Sequence, residues 1–162
     1  MDSKTTANQP TLDLSRIEYR EAEIGEILRL RHDVLIVGTD RKTADFTGDG
    51  DASSRHFGAF DQGMNVCCLS FMLQDYQDQP AYQLRGMATH PPYQSRGVGK
   101  RLIEFAEARM KEFSPIRLFW CNARVGVEDF YRKQGWEVVS EPFMIPGVCM
   151  HVKMIKPLDD SQ

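Results

Sequence analysis

The run Leu84-Arg85-Gly86-Met87-Ala88-Thr89-His90-Pro91-Pro92-Tyr93-Gln94-Ser95-Arg96-Gly97-Val98-Gly99-Lys100-Arg101-Leu102-Ile103 decides how this chain is read. It has the pattern of a strand, a turn rich in backbone donors, and an amphipathic helix opening on glycines. Gln94, Gly97 and Gly99 are spaced so that successive main-chain N–H groups converge on one point at the helix start. The first N–H groups of a helix lack partners and its dipole adds partial positive charge, so such a point binds phosphate. Gly97 and Gly99 carry no Cβ, which lets an anion approach the main chain, and Arg96, Lys100 and Arg101 add charge beside it. The turn is therefore a candidate pyrophosphate cradle. A P-loop does not fit, because Gln94 stands where it needs glycine and Arg101 where it needs Ser or Thr. A dinucleotide fingerprint fails too, since Leu102 replaces its third glycine.

At 162 residues the chain is long enough for one domain that buries roughly two-thirds of its unfolded surface. Its 41% hydrophobic and 27% charged content place it among globular rather than disordered chains. A formal net charge of −3 gives no basic face for nucleic acid. It is compatible with a cationic amine substrate, although so small a charge steers weakly. Cys67, Cys68, Cys121 and Cys149 show no Cys-x-x-Cys spacing; they read as buried thiols in a reducing cytosol, and no metal is expected. Residues 1–10 are polar and unlike a signal peptide, and no run approaches the roughly 20 apolar residues of a membrane span. The expectation is a cytoplasmic protein with neither a membrane nor a nucleic-acid partner.

Residues 1–14 read as a flexible tail and 15–162 as a single domain. Strands are predicted over 17–20, 55–61, 65–74, 81–89, 116–121, 136–139 and 151–155, with a hairpin turn at Gln62-Gly63. Ile24, Ile27, Leu28, Leu30 and Val34 lie at helical spacing and predict one or two helices to about residue 36. A longer helix is predicted over 97–113, burying Val98, Leu102, Phe105, Ala106, Met110 and Phe113 and leaving Glu107 largely off the buried stripe. A short one follows over 126–134, ended by Gly135. The segment 40–54 and the stretch holding Pro142, Pro146 and Gly147 read as loops. This order implies a mixed α/β or α+β sheet.

Gln94-x-x-Gly97-x-Gly99 after a strand resembles the acetyl-CoA motif of the GNAT superfamily of N-acetyltransferases. Asn122-Ala-Arg followed by Asp129-Phe-Tyr131-Arg-Lys-Gln-Gly135-Trp resembles the family's fifth strand and the helix after it. The run from Cys121 to Arg124 and a late Pro-Gly-x-x-x-His element are similar to a bacterial subgroup of small single-domain members. The resemblance covers most of the chain beyond the tail. It implies a mostly antiparallel central sheet of six or seven strands flanked by about four helices, with the fourth and fifth strands splayed. It also implies acetyl-CoA as donor, CoA as product, a small-molecule or peptide amine as acceptor, and a possible homodimer.

By the same resemblance, the main chain of Met87, Ala88 and Thr89 pairs with the pantetheine arm. Gln94, Ser95, Arg96, Gly97, Val98, Gly99 and Lys100 hold the diphosphate, and Asn122 and Phe130 border the cofactor. Met87 and Ala88 are also good core residues, and Asn122 would equally suit a turn or helix cap. Tyr131 is implied as the donor to the departing sulfur; a phenol stays protonated at working pH. Its alternative role is to pack its helix on the sheet. His151 is the candidate proton acceptor, since an ordinary imidazole titrates near neutrality. His90, His56, Glu137 and Glu141 carry no spacing argument for that role. Asp45, Asp49 and Asp51 read either as a solvated loop or as an acceptor pocket for a cation, and Arg85 and Arg124 as substrate contacts or surface side chains. The competing function is a non-catalytic acyl-CoA-binding regulatory module, which would need the cradle but neither Tyr131 nor Asn122.

Overall fold

A computed structural model describes residues 12–159. The expected tail lies outside the described residues as far as residue 11, while Leu12 and Leu14 rest against the main core. The strands are β1 (Ile17–Ala22), β2 (Arg55–Asp61), β3 (Met64–Leu73), β4 (Tyr82–Thr89), β5 (Leu118–Arg124), β6 (Glu137–Val138), β7 (Phe143–Ile145) and β8 (Cys149–Pro157). The helices are α1 (Ile24–Arg31), α2 (Val98–Phe113) and α3 (Glu128–Arg132). Helix α1 runs on into a π-helical turn over His32–Ile36. The sheet order is β1-β2-β3-β4-β5-β8-β6, with β7 pairing β8 beside β6. Among the described residues only β4 and β5 run parallel.

Among the described residues eight strands replace the six or seven expected, because β7 forms within a stretch read as loop. Its three residues, flanked by Pro142 and Pro146, are too few to show periodicity, and pairing with β8 alone makes them a strand. β5 begins two residues later than predicted and ends at Arg124, so Asn122 is a strand residue rather than a cap.

Alternation along the strands separates two faces. Leu69, Phe71, Leu84, Phe119, Cys121, Val152 and Met154 join Val98, Leu102, Ile103, Ala106 and Met110 of α2 in the main core. On the other face Cys68 and Ala88 pack on Ile27 and Leu30 of α1. Phe113 is 40% exposed and Phe105 half-buried, whereas Ile103 and Glu107 are buried; the apolar stripe of α2 is rotated from the one predicted. Glu107 is tolerated there because Lys156 Nζ lies 2.6 Å from its Oε2 and Trp136 Nε1 donates to Oε1 at 3.1 Å.

Two defects in β4 shape the site. Its register against β3 shifts between Cys68 and Ser70, so one residue of β3 faces two of β4. Gly86, at φ +65, occupies the bulge, and a Cβ there would stand 2.8 Å from Arg31 Nε and 3.0 Å from Phe46 Cε2. The bulge reverses the alternation, so Leu84 and Met87, three apart, both face the main core. Beyond Leu84↔Cys121 the pairing with β5 ends and the two strands separate.

Candidate functional site

The gap opened by this separation is a cavity of about 570 Å³. Met87, Ala88 and Thr89 of β4, Asn122 and Arg124 of β5, Gln94 and Ser95 of the turn, Phe130 and Tyr131 of α3, and His151 of β8 all line it. Arg96, Gly97, Val98, Gly99 and Lys100 continue from Ser95 into the start of α2, outside that lining.

The turn is built to receive an anion. Gln94 Nε2 donates to Thr89 O at 2.9 Å, tying the turn to the end of β4. Ser95 and Gly97 are left-handed, at φ +60 and +83, which bends the main chain in the manner of an anion-binding nest. Among the described residues, the N–H groups of 95–100 make no hydrogen bond; the first bond of the helix start is Arg101 N to Gly97 O at 3.1 Å. A Cβ on Gly97 would meet nothing within 4 Å, so the space before it is open. Gly99 sits against Met87 and Phe130, 3.3–3.4 Å from where its Cβ would be. Six consecutive free donors with open space fit a diphosphate. Arg96, Lys100 and Arg101 are exposed around them.

Tyr131 and His151 approach the gap from opposite faces of the sheet. Tyr131 is buried against Trp136 and Phe130, and its Oη lies 3.8 Å from Met87 Sδ. Burial, with the nearby Cys121 and Cys67 thiols adding to it, pushes its phenol well above the usual range. It is therefore a proton holder at any working pH. His151 pairs with Arg124 across β5–β8 on the α1 face and is 5% exposed. Its Nδ1 lies 2.8 Å from Cys149 O. A carbonyl only accepts, so Nδ1 carries a proton, and in the neutral ring the lone pair lies on Nε2.

Asn122 falls on the His151 face, where its Oδ1 accepts from Lys153 Nζ at 3.3 Å. His56 lies on β2, an inner strand, and is buried with Nδ1 2.6 Å from Ser70 Oγ and Nε2 2.9 Å from Asp49 O. His90, Glu137 and Glu141 do not line the cavity.

Asp49 is not solvated. Its carboxylate takes two bonds from the fully buried Arg31, at 2.8 and 3.2 Å, and one from Phe46 N at 2.7 Å. None of Asp45, Asp49 and Asp51 lines the cavity. Their place beside it is taken by Phe46 and Arg41 of the same loop, which sequence reasoning missed because nothing local marks them. Burial raises the thiols of Cys67, Cys68 and Cys121 to about 11, 12 and 12, so they stay protonated. Among the described residues no three His, Cys, Asp or Glu side chains form a metal cluster, and no helix is long and apolar enough to cross a membrane.

Residues 52–138 match a family described as acetyltransferase (GNAT) domain. The chain is 34% identical over 149 residues to the uncharacterized N-acetyltransferase YitI of Bacillus subtilis, covering 90% of this chain and 99% of that protein. Escherichia coli ElaA superposes with a TM-score of 0.74 at 17% identity, over 86% of this chain and 99% of ElaA. An aminoglycoside 6'-N-acetyltransferase complexed with coenzyme A superposes with a TM-score of 0.71 at 12% identity, over 90% of this chain and 99% of that one. The fold, the splayed strands and these matches agree: the chain belongs to the GNAT acetyltransferase family and is an N-acetyltransferase.

Proposed function

We propose that this protein transfers an acetyl group from acetyl-CoA to a primary amine by direct attack, with both substrates held together in the β4–β5 gap. One observation carries the reading. A turn of six free N–H groups leads into a cavity walled on one side by Tyr131 and on the other by His151. The solved neighbour that holds coenzyme A supports the same class of donor. In the bound state acetyl-CoA supplies the activated thioester, and the chain's residues do the rest.

Ser95 to Lys100 would hold the diphosphate through main-chain N–H groups, with Arg96 and Lys100 adding charge. The unpaired edge of Met87–Thr89, left free of β5, offers hydrogen-bonding groups to the pantetheine amides. Asn122 and Phe130 border that channel. An alkyl amine with a pKa near 10.4 costs about 4–5 kcal/mol to present neutral at pH 7. His151 Nε2 is the acceptor for that proton, directly or through water. Tyr131 Oη is the donor for the leaving sulfur. Direct attack is favoured because the three buried cysteines are protonated and offer no thiolate for an acyl-enzyme, and the half-buried Cys149 does not line the cavity. Bringing both reactants into one cavity supplies a large share of the acceleration.

Calorimetry with acetyl-CoA and CoA, followed by CoA release over an amine panel, tests the reading. Saturable binding and amine-dependent release are expected. Binding without amine-dependent release would favour a regulatory module, and no binding at all would defeat the proposal.

A further inference from the structure

The half of the cavity on the α1 side is lined by cationic side chains. Arg41, Arg85 and Arg124 line it, and no Asp or Glu does. Among the described residues none of these three has a carboxylate partner within 4.0 Å; Asp49 is engaged by Arg31, and the exposed Asp45 acts on Arg41 through longer-range attraction only. Arg41 and Arg85 are instead stacked on Phe46, their guanidinium carbons each 4.7 Å from the ring centroid. Stacking orients a guanidinium while leaving its N–H edge available. Arg85 has only long contacts, to Thr47 O at 3.4 Å and Met72 Sδ at 3.5 Å. Burial and the neighbouring Arg41 and Arg31 charges hold its guanidinium below its usual range, with Asp49 opposing. Arg124 spends one N–H on Leu35 O at 3.0 Å.

We infer that the acceptor amine carries a carboxylate, received by the Arg41 and Arg85 guanidiniums stacked on Phe46, while Val34, Ile36, Ile145 and Val148 face its apolar part. The inference rests on the acyl-transfer reading and narrows it to amino-acid-like acceptors. Two unpaired guanidiniums repel a polyamine or aminoglycoside, whereas a planar carboxylate matches their donor fork. The register places the groups suitably: Arg85 precedes the bulge at Gly86, on the face that also carries His151. An amine extending from an anchored carboxylate thus points along β4 toward the gap.

The test compares L-leucine, L-leucinamide, 3-methylbutylamine and spermidine as acceptors with acetyl-CoA, reading products by mass spectrometry. Leucine should exceed leucinamide and 3-methylbutylamine in kcat/KM by about tenfold or more, with spermidine poorest. R85Q and R41Q should each cut the leucine-to-leucinamide ratio by about tenfold through KM, and R85K should restore part of it. Equal or better use of leucinamide or spermidine would overturn the inference and leave acyl transfer standing. A second measurement needs no turnover: in the presence of CoA, N-acetyl-leucine should bind more tightly than N-acetyl-leucinamide, and the preference should vanish in R41Q. Equal binding of the two overturns the anionic site. Preferential binding of N-acetyl-leucine with no acetylation of any amine upholds the site and removes the catalytic reading.

Discussion

Tyr131 is held by aromatic neighbours and by Met87, with its hydroxyl at the cavity wall, so Tyr131→Phe removes one oxygen and little packing. Turnover should fall about tenfold to a hundredfold with acetyl-CoA affinity nearly unchanged, as kcat and a binding isotherm would show. An unchanged kcat would remove Tyr131 from the chemistry. His151→Gln keeps a side chain near Cys149 O but loses the basic Nε2. Turnover should fall by at least about tenfold in that variant with acetyl-CoA affinity nearly unchanged, and an unchanged kcat would leave His151 a structural residue. At Gly97 the open space before the Cβ means a larger residue costs backbone conformation, not collision. Gly97→Val should stay folded with a loss of about 1–2 kcal/mol, and acetyl-CoA affinity should fall by at least about tenfold as the donors rotate. The placing of Gln94, Gly97 and Gly99 at a helix start was legible because their spacing is local, and Tyr131 drew notice through its resemblance to a family motif. The tautomer of His151 was not, since it depends on a carbonyl two residues away whose position the strand sets.

Elements α2 and β8 are joined by the Glu107–Lys156 pair, whose side chains are 10% and 22% exposed. Burial raises the Glu107 carboxyl above its usual range, and Lys156 and the Trp136 indole pull it part of the way back. The folded state thus binds its proton more tightly than the unfolded chain does. This contribution is fully present below the unfolded pKa, and it diminishes as pH rises through the folded one. Lys156→Met removes the compensating cation and pushes that carboxyl higher still. Urea unfolding should show the variant about 3–5 kcal/mol less stable at neutral pH, with the deficit shrinking as pH falls toward 5. A deficit independent of pH would mean that lost packing, not charge, is responsible. Helical periodicity located α2 within one residue, but it assigned Glu107 to the solvent face because one helix cannot show what its neighbours supply. β7 escaped for a related reason: three residues become a strand only when another strand offers its edge.

Across the whole molecule, Arg31 and Asp49 clamp the 40–54 loop onto the α1 face of the sheet. Arg31 reaches Ala44 O, Asp49 and Ser70 Oγ, and His56 closes the network to Ser70 and Asp49 O. Asp49→Ala leaves a buried guanidinium unpaired and should cost about 3–5 kcal/mol in chemical denaturation. The double variant R31M/D49A should lose less than the two single losses combined, because the stranded charge is gone. The same clamp places Phe46 and Arg41 at the cavity, so Asp49→Ala should also weaken acceptor binding.

Sequence alone determined the order of the elements other than β7, and the donor-rich turn, because strand alternation, helix spacing and a glycine pattern are written in neighbouring residues; the family was legible through the resemblance of two short motifs. Only the tertiary structure decided where β4 bulges and parts from β5, that Tyr131 and His151 meet one cavity from opposite faces, and that its far half is lined by arginines rather than aspartates. Those features depend on groups distant in the chain. Arg31 and Asp49 neutralise each other across 18 positions, and which charges remain for a ligand emerges only once such pairs have formed.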